Sequence, residues 1–525
     1  MGASPPAPAD QRDDGAFMDF QRRIAPNPIA QLIIPLAALG LGMGVAVAPL
    51  PAAGAALGIA GLLWILSLGQ RVQRLFLACL AGLLAGYAFF GRSFAYLGVP
   101  PLFLGEAVLG LGGIALLAAW PKARFGWVHG LVLVFGAWGI LRTVPYLGTY
   151  GVDAVRDAVS WLYAVFALAV AATVRPHHFE RVIGWYQRII PIYLLWVPLA
   201  GIAVATLALP ALPLANVPIL SFKGGDAGIH LAAIAAFILV GLYGSARRVP
   251  SLPIATVWLQ FMGAAGLVAV LNRGGMIAMA TAGAALLFVR QAGRVVSLVF
   301  MGTLLFTALV AVDPKVEVPG NRPFSIGQVL DNITSIVGES NEAEIGGALQ
   351  GSKSFRLRWW GTIVDYTVGG PFFWTGKGFG INLADDDGFQ PTADGSLRAP
   401  HNGHVEVLAR MGVPGIVLWI LLNLAYAAAL ARAARRAQAG GRPEWVPVLA
   451  WLFVYWAATM VNASFDPYLQ GPQGGIWFWS IMGLGLAAIH ASEQRGSWAS
   501  HSSAASVEPV EDVGAAKPRM DPGLP

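Results

Sequence analysis

The chain has 525 residues, 56 % of them apolar and 12 % charged, with a mean hydropathy of +0.63. A soluble core of this length cannot hide that much apolar surface, so composition excludes a water-soluble globular enzyme and defines a polytopic membrane protein. The net charge of +6 would suit nucleic acid, but the arginines lie in short clusters between apolar runs, where topology signals belong, and no nucleic-acid partner is expected.

Residues 1–28 are polar, Pro/Ala-rich and without an early apolar h-region. They read as a cytoplasmic amino-terminal segment, with the first apolar helix as an uncleaved anchor. Eleven spans are predicted within 29–312, near 29–47, 50–68, 75–91, 102–120, 127–143, 154–173, 182–207, 227–243, 252–271, 274–289 and 295–312. The lone cysteine, Cys79, falls inside one of them, which rules out a disulfide framework and a cysteine-based metal site. Residues 313–412 form a long hydrophilic loop on the outer side that ends in a short interfacial helix carrying His401. Three more spans lie within 413–490, near 413–431, 444–463 and 473–490, and the Ser-, Ala-, Glu- and Pro-rich tail 491–525 reads as a disordered cytoplasmic extension. The predicted fold is an all-α polytopic integral membrane protein of about 14 transmembrane helices with one long outward loop.

Charge supports that count. Arg12/Arg22/Arg23, Arg71/Arg74, Lys122/Arg124, Arg175/Arg181/Arg188, Arg247/Arg248, Arg290/Arg294 and Arg432/Arg435/Arg436/Arg442 all fall in alternate loops, which places both termini inside. Arg142, Arg156, Lys223 and Arg273 run against the bias, in or beside outward loops.

Within "HNGHVEVLARMGVPGIVLW", Gly412 and then Pro414 suit a helix that closes on glycine and a second that opens with proline. His401–Met411 is therefore predicted as a short helix and Val413 onward as a span. On the short helix His401, His404, Val405 and Leu408 share one face, while Glu406 and Arg410 pair at i, i+4. An imidazole at the membrane lip can take or hold a hydroxyl proton, within reach of lipid-borne and aqueous reactants alike. The alternatives are plain interfacial histidines, or an i, i+3 metal pair of His401 and His404 that lacks an evident third ligand.

Upstream, "LNRGGM" sets Arg273 at the outward end of a span before two glycines that let a backbone or ligand come close. "FKGGDAGIH" repeats the arrangement with Lys223, Gly224, Gly225 and Asp226, and His230 lies one turn further in. In the loop, "SFRLRWWGTIVDY" offers Arg356 and Arg358 beside Trp359 and Trp360, tryptophans that read as an interfacial belt. Basic groups from separate outward segments, with a histidine, are what a lipid-borne diphosphate requires. Two phosphates must be neutralised, and the leaving charge stabilised as a sugar bond breaks.

Together these residues resemble the bacterial O-antigen ligase and polymerase family, whose ligases carry His, then Asn, Ser or Gln, nine residues, Gly, two residues, and Gly, Thr or Tyr. Here the pattern is His401, Asn402, nine residues, Gly412, Val413, Pro414, Gly415. The resemblance also takes in the Asn272–Gly275 turn, Arg356/Arg358 with Trp359, and "TGKGFGIN", and covers about residues 220–425. It implies a bacterial inner-membrane glycosyltransferase with a periplasmic active face and loop, using an undecaprenyl-diphosphate-linked glycan as donor. By the same resemblance His401 assists the acceptor hydroxyl as base or orienting group, Arg273 binds the diphosphate, and Asn402, Glu406 and Arg410 support the site. Lys223 stands where the family commonly has another phosphate-binding arginine, giving a point charge in place of a bidentate fork. The loop arginine is Arg356 or Arg358. Membrane lipid is the surrounding partner, and neither a metal nor a cofactor is implied, because fixed cations can stabilise the leaving diphosphate. Lipid A-core as acceptor makes a ligase, a lipid-linked repeat unit makes a polysaccharide polymerase, and a protein hydroxyl makes an O-oligosaccharyltransferase; the ligase-like spacing at His401 favours the first.

Other signals are weaker. "ADDDGFQPTADG", with Asp385, Asp386, Asp387 and Asp394, lacks the bidentate glutamate of a calcium hand and reads as a solvated acidic turn. "GKGFG" lacks the phosphate-loop pattern and reads as a turn. His177 and His178 read as surface residues beside Arg175 and Arg181, and the sequon at Asn332 carries no meaning in a bacterial chain. Two rival classes are a lipid-linked glycan transporter, which needs polar groups through both leaflets where this chain concentrates them at outward ends, and a non-catalytic scaffold.

Overall fold

The computed structural model describes residues 69–99, 102–213, 215–246, 249–287, 345–391, 395 and 397–494, with isolated positions at 61 and between 293 and 307. The expected spans near 29–47, 50–68 and 295–312 lie outside the described residues except at those isolated positions, as do segment 1–28 and the tail from 495. So do Arg12, Arg22, Arg23, Arg247, Arg248, Arg290, Arg294, Asn332 and Asp394.

The principal helices in chain order are α1 (Gln70–Phe90), α2 (Leu104–Ala119), α3 (Trp127–Thr143), α4 (Val152–Asp157), α5 (Ala164–Thr173), α6 (Pro176–Thr206), α7 (Gly224–Leu239), α8 (Ile254–Leu271), α9 (Arg273–Ala280), α10 (Ile345–Thr367), α11 (Gly403–Ala439), α12 (Trp445–Ala463) and α13 (Pro472–Glu493). A two-stranded antiparallel hairpin, Gly98–Val99 with Leu102–Phe103, links α1 to α2. Eight of the described helices are long and apolar enough to cross a membrane, and Val159–Thr173 and Gly224–Leu239 are apolar but shorter. The protein is thus largely helical and polytopic. The expected total of about 14 includes segments outside the described residues.

Two expected spans differ in form. The segment 154–173 is divided into α4, a single turn Val159–Leu162 and α5, because the polar face of α4 is drawn into the ion cluster described below. The segment 274–289 begins as α9 and tightens into a 3-10 stretch, Thr281–Leu287, where the Thr281 hydroxyl donates to Ala278 O at 2.6 Å.

α7 is central, with every residue but Asp226 buried, and it packs on α8, α9 and α12. Its run of glycine and alanine lets neighbouring backbones approach, the usual basis of helix association in lipid, where apolar burial gives little drive. A Cβ added at Gly228 would lie 2.6 Å from Gly275 Cα, so the glycines of "KGGDAG" and "NRGG" interlock. Their close approach is therefore to backbone.

The helix ends sort onto two faces. On one, Ser221 just before α7 bonds to Phe90 O at the end of α1, Arg142 near the end of α3 bonds to Thr375 O, and Gly403 abuts Ala463 at the end of α12. On the other, Arg436 pairs with Glu493 at 2.9 Å and Arg442 donates to Gln494 O.

Candidate active site

The turn before α11 sets the geometry. Asn402 caps the helix, its side-chain oxygen accepting from His404 N at 2.9 Å and Val405 N at 3.1 Å. The helix thus starts at Gly403, and His401 lies outside it, in the left-handed region at φ 53°. This corrects the expected placement of His401 on a helical face with His404, Val405 and Leu408. A non-glycine residue holds this conformation only where its surroundings over-determine it. Here Trp360 Nε1 donates to Pro400 O at 2.7 Å on one side and the Asn402 cap fixes the other.

Around His401 gather side chains from distant segments. Arg356 donates to Phe465 O at 3.0 Å, and Lys223 lies 3.2 Å from Asp466 Oδ1. Phe465 and Asp466 sit in the turn after α12, where both backbone N–H groups donate to Asn462 O. Arg273 opens α9 beside the same turn: a Cβ added to the adjacent Gly274 would lie 3.3 Å from Phe465 Cβ. The structure therefore brings His401, Lys223 and Arg356 together and sets Arg273 at their edge. Arg358, two residues further along α10 and so on nearly the opposite side of the helix, is exposed, so Arg356 is the loop arginine that reaches the cluster.

Burial lowers the His401 pKa below the ordinary imidazole value, and the Arg356 guanidinium and Lys223 ammonium lower it further, while the Asp466 carboxylate pulls the other way. A neutral imidazole is the form that can accept a proton. Burial likewise lowers Arg356, and Asp466 opposes that change.

Three residues of this cluster escaped the reading of the sequence. Asp466 was signalled only by being a lone carboxylate, followed by proline, at the end of an apolar span. Asn462 gave no signal. Arg92, in the turn after α1, is near enough for its charge to act on Asp226, and its turn is held by Ser93 N donating to Ser221 Oγ at 3.0 Å.

Glu406 and Arg410 pair as their i, i+4 spacing predicts, at 2.7 Å, and belong to an ion network centred on Asp157. Arg410, 2 % exposed, also meets Asp157 of α4 at 3.1 Å and the carbonyls of Gly378 and Ile381. Arg398 meets the same Asp157 carboxylate at 3.0 Å. The "TGKGFGIN" turn, expected as a plain turn, wraps this network. Lys377 N donates to Ala409 O at 2.7 Å and Gly378 N to Arg410 O at 3.0 Å. Two carboxylates and two guanidiniums, well hydrogen-bonded, thus tie the helix that follows His401 to the first half of the chain.

Other expectations change too. The Asp387 side chain is buried and, with Asp386, pairs with Lys377, a cation folded back from nine and ten positions earlier, while Asp385 and Asp386 stay exposed, so only the Asp387 end of the run departs from the solvated turn expected. Trp359 is not in an interfacial belt but fully buried, donating to Asp387 Oδ2 at 2.7 Å and stacked on Phe389. His404 uses both ring nitrogens, Nε2–H donating to Met460 O at 3.1 Å and Nδ1 accepting from Trp419 at 3.0 Å, so it is not available as a metal partner for His401. Among the described residues no group of three or more His, Cys, Asp or Glu is placed to hold a metal.

Fold and site define a helical polytopic membrane protein with a histidine among cations on one face. Residues 255–420 match the sequence model of the O-antigen ligase family, a stretch that runs from the start of α8 through Arg273, Arg356 and His401 into α11. The match supports membership of this broad family and, with it, an enzymatic activity of the glycosyltransferase kind. No curated protein matches the chain.

Proposed function

We propose that the protein is an inner-membrane glycosyltransferase that moves a glycan from undecaprenyl diphosphate to an acceptor hydroxyl on the periplasmic face, in the manner of an O-antigen ligase with lipid A-core as acceptor. The observation that carries this reading is the convergence of Lys223, Arg356 and His401, with Arg273 alongside, on the turn after α12. His401 accepts the hydroxyl proton or holds the hydroxyl in line, and the oxygen attacks the anomeric carbon. The bond from that carbon to the diphosphate breaks, and undecaprenyl diphosphate leaves with the electron pair, met by Lys223, Arg273 and Arg356. Both termini are cytoplasmic in this reading, since among the described residues the basic cluster with Arg436 and Arg442 lies on the side opposite the site.

The polymerase reading, with a second lipid-linked repeat unit as acceptor, uses the same residues. The ligase reading is preferred on the spacing from His401 to Gly412 and Gly415. Purified protein in lipid, given labelled undecaprenyl-diphosphate repeat unit with and without lipid A-core, separates the two. Label moving only when core is present identifies a ligase, and longer lipid-linked chains without core identify a polymerase. Transfer to neither, in a wild-type protein that is folded, refutes both and brings a protein acceptor or transport forward.

A further inference from the structure

The amino ends of α7 and α9 lie side by side and point the same way. A Cβ added at Gly224 would lie 2.8 Å from Asn272 Cβ, and one added at Gly275 would lie 2.5 Å from Gly224 O. Each helix end leaves backbone N–H groups without an intrahelical acceptor, and the two macrodipoles place partial positive charge at one spot. Asn272 answers for one of these groups, its side-chain oxygen accepting from Gly275 N at 2.8 Å, while no side chain caps α7.

Asn462 enters this place from α12. It is 1 % exposed, and its Oδ1 lies 2.7 Å from where a Cβ on Gly225 would stand and 3.6 Å from the equivalent point on Gly274. Neither Oδ1 nor Nδ2 has a hydrogen-bond partner within the protein. A buried carboxamide unsatisfied at both ends carries its full desolvation cost, and such a group calls for something else to supply the partners.

We propose that Asn462 is a binding residue for a phosphate oxyanion, its Nδ2 donating alongside the amide groups of the two helix ends. Paired helix amino termini favour anions, and Lys223 stands at the cap position of α7 and Arg273 at the first position of α9. The carboxylates facing this region are Asp226 and Asp466, and Asp466 is already opposed by Lys223. The proposal rests on the reading of the site as one for a lipid diphosphate, and it adds a neutral donor from α12 to the cations already named.

The test measures binding of undecaprenyl diphosphate, and separately of inorganic pyrophosphate, to wild type, Asn462→Ala and Asn462→Asp in lipid nanodiscs, with the melting temperature of each ligand-free protein. Asn462→Ala should leave the ligand-free melting temperature unchanged or higher, because the group removed has no partner. Its affinity for the lipid should fall at least tenfold, and the isosteric but anionic Asn462→Asp should lose more. Parallel losses for pyrophosphate show that the headgroup alone is read; a loss confined to the lipid shows that the oxyanion is reached only when the polyprenyl chain positions it. Either pattern supports the assignment. Unchanged affinity in both variants, with wild type binding normally, overturns it and leaves Asn462 to a buried water, or to packing if the melting temperature falls. A folded wild type that binds neither probe instead refutes the diphosphate reading itself.

Discussion

Lys223 Nζ lies 3.2 Å from Asp466 Oδ1, joining the amino end of α7 to the turn after α12 across 243 positions of sequence. The pair is partly exposed, so it contributes little to stability. What it does is hold an ammonium beside His401 until a stronger anion competes for it. Lys223→Ala should therefore leave the melting temperature within a few degrees of wild type while kcat/KM for the lipid-linked donor falls at least tenfold. Lys223→Arg should restore most of the loss, since the charge and reach return. Steady-state transfer assays at low salt check this, and full activity in the alanine variant would remove Lys223 from the site.

The acid side of the pH–rate profile reports His401. Its pKa is lowered by burial and then by Arg356, so the neutral imidazole should persist, and activity with it, below pH 6.5 before falling as the ring protonates. Removing a cation raises that midpoint and removing the carboxylate lowers it: Arg356→Gln should shift the limb toward 6.5, and Asp466→Asn should shift it further below wild type. Opposite shifts in the two variants are the signature; shifts of the same sign would mean that a different group titrates.

How far the sequence discloses this site follows from the range of each interaction. The Glu406–Arg410 pair and the break at Gly412 are local, so helical spacing alone reveals them. The position of His401 was also legible in principle, because Asn402 is a strong amino-terminal cap and its two accepted bonds push the histidine off the helix. Asp466 and Asn462 were not legible, since only packing tells which span ends beside Lys223. The Asp385–Asp387 run misled for a related reason: sequence shows the charges but not that Lys377 folds back on two of them.

Arg410 is the mechanical link between the His401 helix and the rest of the molecule. Its guanidinium meets Glu406 and Asp157, whose side chains are only 6 % and 8 % exposed. Replacing it with Met keeps the volume but leaves buried carboxylates without a counter-charge, a loss of about 3–5 kcal/mol. Arg410→Met should consequently lower the unfolding midpoint strongly and abolish transfer with it. The double variant Arg410→Met/Glu406→Gln should recover part of the stability, and a single variant that melts like wild type would contradict the network.

If Lys223, Arg273 and Arg356 supply the charge that a leaving diphosphate needs, added metal should be dispensable. Transfer by protein treated with EDTA and assayed in chelator should remain within about twofold of the untreated rate, on the usual scale of assay scatter against the larger loss expected when charge stabilisation is removed. A collapse in activity that magnesium or manganese restores would show that the fixed cations are insufficient.

Gly412 divides α11 at φ 69° and ψ −171°, a combination essentially confined to glycine. The break also has no room for a side chain, because an added Cβ would lie 2.5 Å from Phe373 O and 2.9 Å from Gly376 N. The break lets Val413 N donate to Phe373 O at 2.8 Å, which seats the Gly-rich turn against the first part of α11. Gly412→Ala should thus straighten or displace that part of the helix, lower the melting temperature and cut transfer by more than the loss of fold alone explains. Gly136→Ala is the control: Gly136 lies within α3 with nothing within 4 Å of an added Cβ, so alanine should leave stability equal or raise it by up to about 1 kcal/mol. Thermal melts and transfer rates of the two variants, measured side by side in the same lipid, distinguish a required backbone break from a general intolerance of larger residues. Equal behaviour of Gly412→Ala and Gly136→Ala would show that the site does not depend on the break.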